Sequence, residues 1–101
     1  MDDAIRAIAE PRRREILRLL VSKELPAGAV AARFADVSRP AISQHLRVLR
    51  EAGLIRERRR GTRRLYRARR ERIAQLRRYL DSFWGDALER LKAAAERDRD
   101  G

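Results

Sequence analysis

The sequence predicts a mainly α-helical fold with one small β-hairpin, and three observations support that prediction. Apolar residues recur at helical steps of three and four in five segments of the chain. Between the last two segments, the β-branched Ile55 precedes a Gly-Thr pair and the aromatic Tyr66 follows it, which is typical of a hairpin over residues 54–68. The length of 101 residues suits one domain, so we expect a single domain over residues 1–101.

The first two predicted helices meet at Pro11. Ile5 and Ile8 lie three residues apart and indicate a short helix at about residues 2–9. Pro11 suits the first turn of a second helix, because the N–H group that proline lacks would have no partner there. This helix is expected to reach about Val21 on an apolar face that consists of Ile16, Leu17, Leu20 and Val21.

A break and a short third helix come next. Residues 22–28 contain Pro26 and Gly28 and are expected to interrupt the helical run without regular structure of their own. Residues 29–34 are small and apolar, which indicates a short helix that another helix can approach closely.

The fourth predicted helix has recognisable start and stop signals. Ser38 is a favourable N-cap, and Pro40 falls in the first helical turn, where proline is tolerated. Gly53 is a favoured residue just after a helix, so the helix is expected over residues 39–52.

A long fifth helix is expected from about residue 70 to residue 96, after the hairpin. Its apolar residues recur at three- and four-residue steps and include Tyr79, Phe83 and Trp84. The resulting order is α-α-α-α-β-β-α, in which short helices precede a basic hairpin. That order is typical of the winged helix-turn-helix fold.

Positive charge is concentrated in one segment. The net charge is +11, and residues 56–72 hold ten arginines and two glutamates, whereas residues 73–101 hold six groups of each sign. Such a field favours a polyanion, nucleic acid first and an anionic membrane second. A GC-rich genome would explain why 24 of the 26 basic residues are arginine, but it would not explain their position.

The outer face of the fourth helix is a candidate for reading bases. Ile42, Leu46 and Leu49 share one face, which leaves polar side chains such as Gln44 and Arg47 on the other. Gln44 can pair with adenine, and Arg47 with guanine or phosphate. The alternative is an ordinary solvated helix face. The predicted DNA-contacting residues of this helix are Ser38, Arg39, Pro40, Ser43, Gln44, His45 and Arg47.

The hairpin is the second candidate for a DNA contact. Arginine donates two hydrogen bonds at once from a planar fork and is therefore a strong phosphate partner. The alternative is a charged edge that prevents aggregation, for which one or two arginines would be sufficient. The predicted contacts of the hairpin are Arg58, Arg59, Arg60, Gly61, Thr62, Arg63 and Arg64.

The apolar residues that recur along the fifth helix form a stripe on one of its faces. So small a domain cannot cover this stripe with its own helices, and the stripe therefore predicts a homodimer. Packing within the chain is the alternative, and we expect it as well for Ile73 and Leu76. Gly85 marks either a bend in this helix or a close approach to another one. On this helix the predicted interface consists of Leu76, Tyr79, Leu80, Phe83, Trp84, Leu88 and Leu91.

Other classes of site are disfavoured. The chain has no cysteine and one histidine, His45, so a zinc or thiolate metal site and a cofactor are not expected. His45 is expected to pack or to contact a phosphate. Neither a nucleophile with its base nor a glycine-rich phosphate loop is recognisable, so we do not expect an enzyme.

The acidic start and the lack of an apolar run long enough to cross a membrane predict a cytoplasmic protein.

Three strings carry a family resemblance: AIAEPRRREILRLL, SRPAISQHLRVLREAGLI and RRGTRRLYRA. Over about residues 4–70 they resemble the ArsR-type winged-helix repressors, and the tail DSFWGDALERLKAAAE resembles a metal-independent branch. The resemblance implies a homodimer joined by the first and last helices, which adds Ile5 and Ile8 to the predicted interface. It also implies a recognition helix over residues 38–52, a wing over residues 54–68, and repression near the protein's own promoter.

The chain departs from the metal sensors of that family. Their cysteine pair would fall at residues 24–30, which read ELPAGAV, and the last helix lacks histidine. The resemblance therefore favours DNA binding over the sensing of arsenic, zinc, cadmium or copper. Two other functions stay open at this point: a non-specific nucleoid-associated or RNA-binding protein, and a protein-interaction module that uses Phe83 and Trp84. An effector, either a small molecule or a protein, is also left open.

Overall fold

A computed structural model describes the backbone of residues 1–100 and the side chains of residues 1–99. The helices are α1 (Asp2–Ala9), α2 (Pro11–Ser22), α3 (Ala27–Ala32), α4 (Arg39–Glu51) and α5 (Arg70–Asp100). The strands are β1 (Leu25–Pro26), β2 (Ile55–Arg60) and β3 (Arg63–Ala68). The predicted winged helix-turn-helix fold is confirmed, with one additional strand. None of the helices within residues 1–100 has the length and apolar character that a membrane span needs.

The junction between α1 and α2 is fixed by polar contacts on both sides of Pro11. The Glu10 side chain accepts a hydrogen bond of 3.0 Å from the Arg13 backbone N–H and so caps α2. In the other direction, Arg14 Nη1 donates to the carbonyl oxygen of Ile8 over 2.6 Å, and Arg13 contacts the same helix end. The arginines that begin α2 therefore cap the C-terminus of α1, where carbonyl groups lack helical partners.

The segment predicted as a break contains regular structure, which corrects the two-stranded hairpin to a three-stranded antiparallel sheet in the order β1-β3-β2. Leu25 pairs with Tyr66 and Pro26 with Leu65. Proline has no N–H to donate and is accommodated at a sheet edge, which is where β1 lies. The third helix follows directly, so it begins and ends two residues earlier than predicted, at Ala27–Ala32.

Helix α4 has the predicted bounds to within one residue. The Ser38 hydroxyl accepts a hydrogen bond of 3.2 Å from the Ala41 backbone N–H, which is the predicted N-cap. Gly53 has a φ of +77°, a conformation that favours glycine and ends the helix. Ile42, Leu46 and Leu49 are buried and hold α4 on the core.

The hairpin of β2 and β3, here called the wing, turns at Gly61, whose φ is +64°. Ile55 and Ala68 face each other at its base, and both are buried. Leu65 is buried on the opposite face of the wing, opposite Arg58 and Pro26. Because each face of the wing is covered only in part, apolar and charged residues do not alternate regularly along its strands.

Helix α5 runs uninterrupted for 31 residues, and among its side chains at residues 70–99 those packed on the core come from the first half. Leu76 is 4% exposed and belongs to the core, with Ile73 and Leu80 packed against it. Further along, Phe83 and Trp84 are 62% and 59% exposed. A row of apolar side chains thus extends from the core into solvent.

Candidate nucleic-acid interface

The outer face of α4 is exposed as the sequence predicted. Ser43, Gln44 and Arg47 lie on the face opposite the buried leucines. At the start of the helix, Ser38, Arg39 and Pro40 are exposed as well. His45 differs from them, because it is half-buried and its Nδ1 atom is buried without a hydrogen-bond partner among the described residues. The exposed side chains combine amide, hydroxyl and guanidinium groups, which can bind base edges and phosphates.

Arg47 forms an ion pair with Glu51 one turn later on α4, with 3.0 Å between Nε and Oε1. Both side chains are more than half exposed. Exposed pairs at this spacing contribute only about 0.3–0.5 kcal/mol. Glu51 therefore orients Arg47 in the free protein, while a base or phosphate can still take over the guanidinium group.

Arg39 lies against the start of the preceding helix. Its Nη1 atom is 3.5 Å from the position that a Cβ atom would occupy at Gly28. The small residue leaves room for this guanidinium group between α3 and α4. Gly28 was predicted only as part of a break, because a contact between residues of two different helices leaves no spacing signal in the sequence.

The tip of the wing presents the positive charge to solvent. Arg59, Arg60 and Arg63 are exposed, as are Gly61 and Thr62 between them. No ion pair involves these three arginines among the side chains of residues 1–99. Their fork-shaped groups are consequently free to bind phosphate oxygens.

Two other wing arginines of the predicted set are held by carboxylates. Arg58 makes two hydrogen bonds to Glu24, from Nε over 2.7 Å and from Nη2 over 2.5 Å. Arg64 Nε lies 3.6 Å from Glu57 Oε1. The sequence prediction grouped Arg58 and Arg64 with the tip arginines. Glu24 was missed because it is 34 residues from Arg58, and Glu57 was missed because it meets Arg64 across two paired strands.

Glu57 also connects the wing to α4. Arg50 Nη1 donates to Glu57 Oε2 over 2.7 Å, and the Glu57 side chain is only 19% exposed. Tyr66 faces Glu57 across the wing. Burial, and next the charge of Glu57, raise the pKa of Tyr66 above its ordinary value. The wing and α4 are thus joined through one shielded carboxylate.

Arg12 fixes the turn that leads into α4. Its guanidinium carbon lies 5.3 Å above the centre of the Phe34 ring, and the same group pairs with Asp36 and with Glu15. Cation–π contacts and ion pairs of this kind restrain a loop in one geometry. No role of Arg12 was predicted from the sequence pattern.

Comparisons with known proteins place this geometry in a family. A family model described as a helix-turn-helix domain matches residues 8–58, which span α2 to α4 and reach into the wing. An HTH-type transcriptional regulator of Mycobacterium tuberculosis is 46% identical over 87 residues, which cover 86% of this chain and 80% of the relative. The chain belongs to the ArsR family of winged helix-turn-helix transcriptional regulators. It is a DNA-binding regulator and not an enzyme.

Three further proteins with assigned or possible roles in transcriptional regulation are similar to this chain. The transcriptional repressor SdpR of Bacillus subtilis is 41% identical over 61 residues, which cover 60% of this chain and 67% of SdpR. A crystal structure described as a possible transcriptional regulator for arsenical resistance is 49% identical, with a TM-score of 0.77 over 92% of this chain and 95% of that chain. The solution structure of a homodimeric winged helix-turn-helix DNA-binding domain from Mycobacterium bovis, a possible ArsR-family regulator, is 30% identical, with a TM-score of 0.68 over 84% of this chain and 78% of that one.

Proposed function

We propose that this ArsR-family regulator is a homodimeric repressor that reads one operator sequence in the major groove with α4. The observation that carries the proposal is the division of α4 into two faces. Its apolar face is buried, so the polar face with Ser43, Gln44 and Arg47 has no role in the core. The start of such a helix is the part that enters the groove in winged helix-turn-helix proteins.

The wing tip contributes the phosphate contacts in this proposal. Arg59, Arg60 and Arg63 would neutralise backbone charges on the strands beside the groove. Ser38, Arg39 and Pro40, at the start of α4, would lie against the same backbone. Phosphate contacts position a protein on DNA without reading sequence, so specificity is assigned to α4 and affinity largely to the wing.

A second copy of the chain would cover the exposed stripe of α5. Tyr79, Phe83, Trp84, Leu88 and Leu91 are all at least 45% exposed, and aromatic residues of this kind form the centres of interfaces. Ile5 and Ile8 of α1 are only half-buried, and Ile8 lines the same apolar cleft as Leu80 and Trp84. Relatives support the assembly and the direction of regulation, because the M. bovis domain is homodimeric and SdpR is a repressor.

The regulator is assigned to a metal-independent branch of the family. The chain has no cysteine, so thiolate ligands are not available to it. Within the described residues, no three His, Cys, Asp or Glu side chains lie together as a metal site would require. A signal other than a transition metal would then release the repressor from DNA.

Selection of bound genomic fragments, followed by binding measurements on the selected operator, tests the proposal. The double variant Gln44→Ala/Arg47→Ala should lose at least tenfold in operator affinity, and much less on random DNA. The control Gln75→Ala/Arg97→Ala removes the same two residue types from exposed positions on α5 and should leave binding unchanged. Equal losses on both DNAs, or equal affinity of the wild type for single-stranded RNA, would indicate non-specific binding instead. Transcription from the bound promoter should rise when the gene is deleted.

A further inference from the structure

Adjacent residues of β2 connect the wing to two different parts of the protein. Glu57 and Arg58 point to opposite faces of the wing, because successive residues of a strand alternate. Glu57 accepts a hydrogen bond from Arg50 of α4 over 2.7 Å. Arg58 donates two hydrogen bonds, of 2.7 and 2.5 Å, to Glu24, the residue that precedes β1. One carboxylate on each face therefore ties the wing to the body of the protein.

In both ion pairs the carboxylate is partly shielded from solvent, whereas Arg50 and Arg58 are 43% and 51% exposed. The Glu57 and Glu24 side chains are 19% and 21% exposed, far less than the exposed carboxylates at Glu51 and Glu71. The Arg58 pair is bidentate, which fixes direction as well as distance. It also crosses β3, because Arg58 lies opposite Leu65, and Leu65 lies opposite Pro26 of β1.

The length of the wing makes its angle important. From Ile55 to Arg60 there are five residue steps, so at about 3.3 Å per step the tip lies about 17 Å from the base. A tilt of about 20° would move the tip by about 6 Å, more than the roughly 3 Å reach of an arginine–phosphate hydrogen bond. β1 pairs with the wing through only two residues, so it restrains this tilt weakly.

We propose that Glu24 and Glu57 are positioning residues for DNA binding, which hold the wing at the angle where its tip and α4 contact one DNA duplex together. Arg58 then acts through Glu24 and not through a phosphate. The inference rests on the proposed DNA contacts of the wing. It predicts a change in DNA affinity opposite to the one expected from charge alone. Removing the negative charge of Glu24 or Glu57 should weaken DNA binding, although removing a negative charge near DNA by itself strengthens the binding.

The test compares operator binding by single and exchanged variants. Glu24→Gln and Glu57→Gln should each weaken binding about three- to tenfold, whereas the control Glu71→Gln, whose carboxylate is exposed and pairs with Arg69, should not. Arg58→Glu should weaken binding more than tenfold. The double variant Glu24→Arg/Arg58→Glu rebuilds the pair in reverse at unchanged net charge, and it should bind within about threefold of the wild type. Thermal unfolding of each variant separates loss of folding from loss of positioning.

Two results would overturn the proposal. The first is a combination of two measurements: Glu24→Arg/Arg58→Glu binds the operator as weakly as Arg58→Glu does, and Glu24→Gln binds it as tightly as the wild type does. Arg58 would then contact a phosphate directly. The second comes from a measurement without DNA. A nitroxide spin label attached through Thr62→Cys at the wing tip broadens the NMR signals of the backbone amides that the tip approaches, and the chain has no other cysteine. In Glu24→Gln the broadened signals should come from a wider set of residues than in the wild type or in Glu24→Arg/Arg58→Glu. An identical set in all three would show that Glu24 does not hold the wing. A wild type without operator preference would contradict the proposed function alone.

Discussion

The Nε atom of Arg13 donates a hydrogen bond of 2.7 Å to the carbonyl oxygen of Ala7, across the junction of the first two helices. Ala7 lies in the last turn of α1, an eight-residue helix that is too short to be stable in isolation. Ala7 is itself fully buried. The contact therefore joins α1 to the core through both its apolar face and its C-terminal carbonyl groups.

Arg13→Ala should lower the free energy of unfolding by about 1–2 kcal/mol, because a carbonyl group of α1 would lose its charged donor. Urea unfolding at one fixed protein concentration measures the change. Arg18→Ala is the matched control, since Arg18 is exposed on the same helix, and its effect should stay within about 0.5 kcal/mol. Equal effects of the two substitutions would mean that the Ala7 contact does not stabilise the protein.

Ser38 separates a capping role from a DNA-contacting role. Ser38→Ala should cost about 1 kcal/mol of stability, because the Ala41 N–H loses its acceptor. Ser38→Asp should retain the stability, since aspartate caps as well as serine, but it should bind DNA more weakly than Ser38→Ala because it adds a negative charge beside the phosphates. Thermal unfolding and operator titration measure the two effects. If Ser38→Asp binds as tightly as the wild type, the start of α4 lies away from the backbone.

The wing tip is expected to set the salt dependence of DNA binding. Arg60→Ala/Arg63→Ala should weaken binding to operator and random DNA by similar factors. Because the dimer loses two arginines from each protomer, the variant should flatten the plot of log K against log salt by about 3–4 units. Titrations at several salt concentrations provide the slope. Arg97→Ala/Arg99→Ala also removes two exposed arginines, but from the end of α5, and should leave the slope unchanged. Identical slopes for both double variants would remove the wing tip from the interface.

Phe83 and Trp84 should carry the dimer interface. Their rings lie 6.1 Å apart in an edge-to-face arrangement, and both are exposed in the single chain. Replacing both by alanine should raise the dimer dissociation constant at least a hundredfold, since central aromatic residues contribute about 2 kcal/mol or more each. Sedimentation gives the constant, and Trp84, the only tryptophan, should shift its emission to longer wavelength on dilution. Gln75→Ala is the control, and an unchanged constant in the aromatic variant would place the interface elsewhere.

The Glu24–Arg58 pair predicts a specific pH dependence. The hydrogen bond from Arg58 lowers the pKa of Glu24 below its ordinary value of 4.5. Because the folded pKa is the lower one, the contribution of the pair to stability is complete above about pH 4.5 and is lost as the pH falls through the folded value. Carbon-13 NMR of the Glu24 carboxyl group measures the pKa, which should move up toward 4.5 in Arg58→Ala. A value that is the same in both proteins would contradict the pair in solution.

Local signals in the sequence were sufficient to place most helices and the wing. Ser38 predicted the start of α4 because an N-cap bonds within its own helix, and Gly53 predicted its end because few other residues adopt a positive φ. The wing turn was predicted at Gly61 for the same reason, since Gly61 also has a positive φ. In each case the physical cause lies within a few residues of its effect.

Contacts between distant segments were beyond the reach of these signals. Strand β1 was missed because Leu25 and Pro26 pair with residues about forty positions later, and a proline in a two-residue strand looks like a break. Leu76 and Phe83 belong to the same stripe, yet the core covers only Leu76. Their shared periodicity predicted both residues in the dimer interface, and packing within the chain was expected as well for Leu76.

By itself the sequence determined the order of the helices, the site of the wing and the concentration of positive charge within residues 56–72, since each depends on neighbouring residues alone. The tertiary structure decided which arginines carry free charge. Arg58 and Arg60 are equivalent in sequence, but only Arg58 meets a carboxylate, because an ion pair depends on distance in space and the fold brings Glu24 to one of them.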